Sequence, residues 1–285
     1  MLSQRHESGG ETPLHIRGHI GDINQLPGPI MHSLKRTFIL VCLSIASATA
    51  LADPRQDYEQ ALVRWAQVLT QHVDEQGRVD FSAIAAQPAH LESYIEAVAD
   101  YGPRTAPAQF NDAATVLAYH INTYNAQAMY GVIERGIPEG FDSFFKRTSF
   151  FRLRTVLIDG EETNLQNYEN KVIRPLGEPR AHFVLNCMVR DCPRLPRKPF
   201  VAQSLAEDLE IATREFFQHP GKLHVEQGAQ VVRLSAILDF YTEDFVASGK
   251  AADLPAYVNR YIDKPLPAGY RVKFFDYDWT INKQP

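Results

Sequence analysis

Apolar residues recur at the spacing of an α-helix between positions 110 and 132, the longest such stripe in the chain. Its members are Phe110, Ala113, Ala114, Leu117, Ile121, Tyr124, Ala128 and Val132. Gly136 and Pro138 follow the stripe, and these two residue types commonly end a helix. A helix this long needs packing partners along its apolar face. We therefore predict that it is the central helix of the fold.

The elements predicted on either side of this helix are of mixed type. The apolar spacing predicts helices at residues 57–73, 91–98, 165–176, 202–219, 235–245 and 254–262. Short alternating runs predict a small β excursion at 73–81, hairpins at 154–164 and 223–234, and strands at 182–186 and 270–279. Helices come first and strands are then separated by single helices. This order favours an α+β single domain, with N-terminal helices packed on a largely antiparallel sheet, over a doubly wound parallel sheet.

An apolar run at residues 38–50 determines where we expect the mature protein and its segments to begin. Lys35 and Arg36 precede the run and Ala50-Leu-Ala52 ends it, which is the pattern of a secretory signal peptide. Met31 stands at the usual distance to start such a peptide. A buried core helix would leave the two basic residues unexplained. We expect residues 1–30 to be a misassigned start, 31–52 a cleaved signal peptide, 53–106 an N-terminal helical segment and 107–285 the core.

Export and composition together limit the partners of the chain. Removing the four basic and three acidic residues of 1–52 leaves 25 basic against 31 acidic side chains. This balance lacks the positive excess that binding to a phosphate backbone requires, so we expect no nucleic-acid partner. The apolar run is too short for a permanent membrane span. We therefore expect a periplasmic or extracellular protein that acts on a small molecule, a peptide or an envelope polymer.

Four ordered segments resemble one known family. They read INTYNA at 121–126, HFVLNCMVRDCPRLP at 182–196, LSAILDFYTEDF at 234–245 and FDYDWTIN at 275–282. Together they are similar to the domain of unknown function 547 family, and the similarity spans roughly residues 116–282. His120 departs from the tryptophan usual at that position of the family, so we interpret it as a substitution at an aromatic packing position. The resemblance implies no activity.

The chemistry of the chain centres on Cys187 and Cys192, which have four residues between them. In an exported protein an even number of cysteines favours a disulfide, and closing so short a loop would stabilise the fold by about 2 kcal/mol. Alternatively, Cys187 is a nucleophile with His182 as its base. On a regular strand these two side chains would point to opposite faces, so the pair requires a break after Leu185. A metal site at His182, Cys187 and Cys192 is a third reading, but a fourth close ligand is missing.

Further polar residues could complete a site. Asn122 and Asn125 share one face of the long helix and could bond a loop backbone, an oxyanion or a substrate. Asn186 begins the loop at the end of the predicted strand. Asp276 and Asp278 share one face of the last strand and could orient a histidine or pair with arginines, Arg190 and Arg194 being the nearest in the motif. Asp239, Glu243 and Asp244 are typical of a solvated helix face.

Two functions remain open from the sequence. One is a binding or scaffolding domain whose loop is locked by a Cys187–Cys192 disulfide. The other is a thiol-dependent hydrolase or acyl transferase in which Cys187, His182 and Asn122 are the catalytic candidates. Asn125, Asn186, Arg190, Asp276 and Asp278 are then candidates for binding. Neither function requires a metal or cofactor, and we expect none.

Overall fold

A computed structural model describes residues 53–285. The predicted start and signal peptide lie outside these residues. The helices are α1 (Pro54–His72), α2 (Phe81–Ala86), α3 (Ala89–Asp100), α4 (Ala113–Glu134), α5 (Phe144–Phe151), α6 (Leu165–Tyr168), α7 (Leu205–Gln218), α8 (Ala236–Phe240), α9 (Thr242–Phe245) and α10 (Leu254–Val258). Several begin at a side-chain cap: the Asp53 carboxylate accepts from Arg55 N and the Asp112 carboxylate from Thr115 N. Within 53–285 no helix is both long and apolar enough to cross a membrane.

The long helix α4 is central, as predicted. Every residue from Leu117 to Met129 is buried, the polar ones included. A helix buried on all sides must satisfy its polar side chains internally, because water does not reach them. The polar residues of α4 therefore determine how the neighbouring loops are held.

The strands form two small sheets, which confirms the α+β class. β1 (Val156–Ile158) and β2 (Glu161–Thr163) make the predicted antiparallel hairpin. β3 (Leu223–Glu226) and β4 (Val231–Leu234) make the second, with Leu223 opposite Leu234. β5 (Arg271–Phe274) adds to β4 in the parallel direction. The second sheet is thus mixed, and both sheets are smaller than the sequence suggested.

Two hydrophobic clusters lie on either side of the cysteine-containing loop. The larger one joins α1, α3 and α4, where Trp65 stacks on Tyr94 with ring centroids 5.8 Å apart. The smaller one joins α7, α10 and the mixed sheet around Phe183, whose ring is 4.8 Å from that of Phe216. Since Phe183 belongs to the smaller cluster and its neighbour Val184 to the larger, the loop is anchored in both.

The strand predicted at 182–186 is wrong. Residues Pro179–Phe183 form a 3₁₀-helix, and the following residues run as a loop. The apolar run suggested a buried strand, but its backbone groups bond to the Asn125 side chain instead of a neighbouring strand: Asn125 Nδ2 donates to Val184 O, and Asn125 Oδ1 accepts from Asn186 N.

Other predicted elements are interrupted. The helix expected at 165–176 ends at Tyr168 and continues as a π-helical turn, Glu169–Ile173, and a 3₁₀ turn, Arg174–Leu176. The helix expected at 235–245 divides into α8 and α9 at Tyr241. Single π-helical turns inside helices are frequent at functional sites. Both interruptions line the cavity described next.

Candidate functional site

A cavity of about 500 Å³ lies where the cysteine-containing loop meets α5, the π-helical turn and the C-terminal segment. Its walls are mainly aromatic and include Phe144, Phe151, Phe240, Tyr241, Tyr277 and Trp279. Its polar groups include Glu169, Arg174, His182, Cys187 and Cys192. We call this space the thiol cavity. Apolar walls with a few converging polar groups are typical of a small-molecule site.

The two cysteines face each other across a tight turn. Met188 adopts the left-handed conformation, with φ of 66°, and Asn186 Oδ1 accepts a hydrogen bond from its N–H. The turn brings Cys187 Sγ to 2.7 Å from Cys192 Sγ. This distance is longer than the about 2.05 Å of a disulfide. Both residues are free thiols in this structure, and the predicted disulfide is not formed.

The two thiols differ in their protonation. The hydrogen bond to Cys192, followed by burial, raises the pKa of Cys187 well above its usual value. Burial alone would raise the pKa of Cys192 too, but hydrogen bonds from Cys187, Tyr277 and the backbone outweigh it and lower this pKa. The Cys187 N–H lies 3.1 Å from Cys192 Sγ and the Tyr277 hydroxyl 3.6 Å from it. Within the pair, Cys192 is therefore the more acidic thiol, and Cys187 is the one that keeps its proton.

A buried carboxylate stands near the thiols. Glu169 opens the π-helical turn, is buried, and accepts a hydrogen bond of 2.9 Å from the Tyr124 hydroxyl. Burial, and then the charge of Glu169, raise the pKa of Tyr124 well above its usual value, so Tyr124 stays a neutral donor. No Lys or Arg within 53–285 forms an ion pair with Glu169. The charge of this carboxylate also contributes to the raised pKa of Cys187.

His182 is held in place by a carboxylate and an arginine. Its Nε2 lies 2.7 Å from Asp244 Oδ2, and the Arg174 guanidinium donates to both oxygens of Asp244. The imidazole stacks on Tyr241 with ring centroids 4.1 Å apart. Burial alone would raise the pKa of Asp244, but the bonds from His182 and Arg174 hold it well below its usual value. Asp244, expected on a solvated face, thus orients an imidazole at the cavity.

His182 and Cys187 line the same cavity, but no hydrogen bond joins them in the described part of the chain. The sulfur of Cys187 instead contacts Cys192 and the hydroxyl of Tyr277, the latter at 3.9 Å. Catalytic hydrogen bonds are often long in ligand-free structures. The role of His182 as a base therefore stays a prediction.

The three predicted asparagines face away from the cavity. Asn122 Nδ2 donates to Phe200 O at 2.7 Å, and its Oδ1 accepts from Phe200 N at 3.0 Å. Asn186 Nδ2 donates to Pro193 O at 2.7 Å, and Asn125 holds Val184 and Asn186 as described above. We call Asn122, Asn125 and Asn186 the amide clamp. Its bonds go to loop backbone, one of the interpretations left open by the sequence, and Asn122 is not among the residues that line the thiol cavity.

Arg190, Asp276 and Asp278 are likewise outside the thiol cavity. Asp276 and Asp278 are exposed on alternate positions, as predicted, although the strand ends at Phe274. Neither carboxylate forms an ion pair within residues 53–285. Burial would raise the pKa of Asp278, but bonds from Thr280 and then the charges of Arg190 and Lys222 lower it. Arg194, the other expected partner, pairs with Glu215 at 2.8 Å.

A second cavity of about 450 Å³ meets the first at Cys192, which lines both. Several of its charged side chains pair with each other, among them Lys198 with Asp208 at 2.7 Å and Lys222 with Asp191 at 2.8 Å, and Arg190 lines this cavity as well. Over the residues that the structure describes, no three His, Cys, Asp or Glu side chains come together in a group that could hold a metal. The described residues therefore give no support to the hypothesis that His182, Cys187 and Cys192 bind a metal ion.

His120 is buried, which agrees with a packing position. Its Nδ1 lies 2.6 Å from the Tyr168 hydroxyl, and burial lowers its pKa to about 4. The imidazole is therefore neutral at neutral pH and acts as a hydrogen-bonding member of the core.

Several residues of the thiol cavity were not found from the sequence. Tyr124 was predicted only as part of the apolar stripe of the long helix, and Glu169, Tyr241 and Tyr277 were not among the candidates. For Glu169 the sequence gives no signal, because its burial depends on the π-helical turn. For the tyrosines the sequence gives no signal.

Comparison with known proteins adds one finding. Residues 107–217 match the family model described as "Protein of unknown function, DUF547". The match includes α4, the π-helical turn, both cysteines and His182. No curated protein and no solved structure matches the chain.

Proposed function

For this DUF547 domain-containing protein, whose family description names no activity, we propose a thiol-dependent hydrolase or acyl transferase with Cys187 as its nucleophile. The observation that carries the proposal is that the partly exposed Cys187 thiol and the His182 imidazole line one cavity, with Asp244 bonded to the imidazole. A nucleophile, a titratable ring and a group that orients the ring are the parts that covalent acyl transfer needs.

The proton of Cys187 has a defined acceptor in this scheme. With Cys192 ionised, Cys187 Sγ attacks an acyl carbonyl and its proton passes to Cys192 Sγ 2.7 Å away; this transfer runs against the pKa order of the two thiols, so it is completed by formation of the carbon–sulfur bond. The carbon–sulfur bond forms, the bond to the leaving group breaks, and the leaving group departs with that proton. A thioester on Cys187 results. Cys192 thus takes the role that the sequence assigned to His182.

His182 then acts in the second half of the reaction. Water, or an acceptor nucleophile, attacks the thioester and gives its proton to the imidazole. The Cys187 thiolate leaves and recovers the proton that the imidazole has taken up. Asp244 keeps the ring oriented and stabilises its charged form, as an orienting carboxylate does beside other catalytic imidazoles.

The test uses p-nitrophenyl acetate as an acyl donor and detects acetylated peptides by mass spectrometry. We expect acetylation of Cys187, none at this position in Cys187→Ser, and slower acetylation in Cys192→Ser. In His182→Gln the acetyl group should form and then persist, with deacylation about a hundred-fold slower. Lys250→Gln, at an exposed position, is the control. Acetylation spread evenly over surface lysines, with none at Cys187, would argue against the proposal.

The second candidate is a binding domain locked by a Cys187–Cys192 disulfide. The sulfur separation of 2.7 Å favours it, because a small approach would close the bond. Removing two electrons and two protons from the pair would require an oxidant of the compartment, such as a disulfide donor. Thiol titration without reductant, on protein taken from its native compartment, separates the two: about two thiols supports the enzyme and none supports the locked domain.

We also propose that the protein acts outside the cytoplasm. The basic pair at Lys35 and Arg36, the apolar run at 38–50 and the small residues Ala50 and Ala52 support this. N-terminal sequencing of the accumulated protein should give Asp53. A first residue within 1–30 on secreted protein would contradict both the export and the start-site predictions.

A further inference from the structure

The first turn of α5 carries two adjacent phenylalanines that face solvent. Phe144 is 73% exposed and Phe145 is 76% exposed. A large aromatic side chain that is mostly exposed is uncommon, and two together suggest a surface that is covered in use. Other exposed apolar residues, such as Val63 and Ile211, lie on separate helices without an aromatic neighbour in sequence.

The aromatic surface continues beyond α5. Phe240, at the end of α8, is 48% exposed and stacks on Trp279 with centroids 6.4 Å apart. The guanidinium of Arg147 lies 4.8 Å above the same indole ring. Phe144, Phe240 and Trp279 all line the thiol cavity, so this surface borders its mouth.

Cations accompany these aromatic rings. Lys146, Arg147 and Arg152 follow the two phenylalanines, against one carboxylate, Asp142, which pairs with Lys146. Within residues 53–285, Arg147 and Arg152 form no ion pair with a carboxylate; Arg147 donates to the carbonyls of Phe141 and Asp142. Along α5 the three cations outnumber the one carboxylate, and even with the exposed Asp239 beside Phe240 the charge stays positive; in a chain of net charge −5 this favours a negatively charged partner.

We propose that Phe144, Phe145 and Phe240, together with Lys146, Arg147 and Arg152, form a docking surface for an anionic lipid bilayer. We call it the α5 patch. Aromatic rings partition into the interfacial region of a bilayer, and nearby Lys and Arg are attracted to anionic headgroups. A protein partner or a second copy would also cover the rings, but Arg147 and Arg152, which have no carboxylate partner in the described residues, favour the bilayer. The docked orientation directs the mouth of the thiol cavity toward the headgroups. This proposal does not depend on Cys187 being a nucleophile.

The test is co-sedimentation with vesicles of phosphatidylcholine alone, or of phosphatidylcholine and phosphatidylglycerol in equal parts. Wild type and variants are compared in the same accumulated form, so residues 1–52 contribute equally wherever they are present. We expect binding to the anionic vesicles that weakens with added salt. The double variant Phe144→Ser with Phe145→Ser should bind about ten-fold more weakly. Val63→Ser, a change at a 60% exposed position on α1, should bind like wild type.

Two double variants, each of which removes two positive charges, test the electrostatic contribution to vesicle binding. Lys146→Gln with Arg152→Gln should lower affinity for anionic vesicles by about five-fold or more, because each cation near such a surface strengthens binding. Lys250→Gln with Lys264→Gln removes the same net charge at exposed positions elsewhere and should have a much smaller effect.

Tryptophan emission gives a second readout. The chain has two tryptophans, and Trp65 is 1% exposed, so a blue shift on adding vesicles would report Trp279. Absence of binding by wild type, or equal binding by the double phenylalanine variant, would overturn the proposal. So would self-association without vesicles that the same double variant abolishes, since it would identify a second copy as the occupant.

Discussion

The amide clamp and the thiol cavity share one loop and differ in how their polar groups are satisfied. Each clamp asparagine donates to one backbone carbonyl and accepts from one backbone N–H. In the cavity, by contrast, Glu169 is bonded to a tyrosine without a cation, and Cys187 has only its neighbour thiol and a distant hydroxyl. Buried polar groups that are hydrogen-bonded to the backbone stabilise the fold, whereas polar groups with few partners at a cavity can bind a ligand.

This difference explains why the loop can present a thiol without a strand behind it. The clamp replaces the hydrogen bonds that a neighbouring strand would have made to Val184 and Asn186. The clamp therefore holds the loop at Val184 and Asn186, while the next residue, Cys187, lines the thiol cavity. Predictions can test this division by comparing stability changes on the two sides.

The largest change is expected in the clamp. Asn125→Ala leaves Val184 O and Asn186 N buried without partners, so we expect unfolding to become easier by about 3 kcal/mol. Urea denaturation measures it as a lower midpoint with an unchanged slope. Asn111→Ala, a change at an exposed asparagine near the start of α4, should stay within about 0.5 kcal/mol of wild type. Equal effects at the two positions would mean that the clamp does not hold the loop.

The clamp shows how far the sequence could predict the fold. The periodicity of α4, both hairpins and the α+β class were predictable, because each follows from local spacing. The strand at 182–186 was not, because HFVLN has the composition of a buried strand and only the distant Asn125 makes it a loop. The same limit applies to β5, where the alternation of residues 275–279 continues after strand pairing has ended.

The site was partly predictable for the same reason. Cys187, Cys192 and His182 could be chosen from residue type and spacing. Asp244 could not, because its role depends on Arg174 and His182, which lie 70 and 62 residues away along the chain. Glu169 could not be chosen either, because its position in the cavity depends on a π-helical turn, and no local residue spacing predicts such a turn.

An intermediate change is expected at Asp244, on the cavity side. Its pKa is lowered in the folded state, so its ionised form stabilises the fold above the unfolded pKa of about 4, and this contribution is lost as pH falls below that value. Because the side chain is 22% exposed, we expect Asp244→Asn to cost only about 1 to 2 kcal/mol at pH 7.

The pH dependence checks the origin of this change. The difference between wild type and Asp244→Asn, taken from urea midpoints, should shrink steadily as pH is lowered from about 5 to about 2. Asp276→Asn, at an exposed aspartate, serves as the matched control. A difference that stayed constant over this range would show that the carboxylate charge is not what stabilises the His182–Asp244–Arg174 arrangement.

The smallest change is expected at Cys187, and it decides between the two readings of the cysteine pair. If the residue is a free nucleophile facing the cavity, Cys187→Ser should cost less than about 1 kcal/mol, because the position is partly exposed and a serine hydroxyl can still donate to Cys192. Cys192→Ser should cost more, since Cys192 is buried and accepts bonds from Cys187 N and Tyr277. If the pair is a disulfide, both variants break the same covalent loop and lose the same amount, about 2 kcal/mol. Urea midpoints measured with and without reductant separate these outcomes. Unequal losses of stability that reductant does not change support the free nucleophile. Equal losses that disappear in reductant support the disulfide-locked loop.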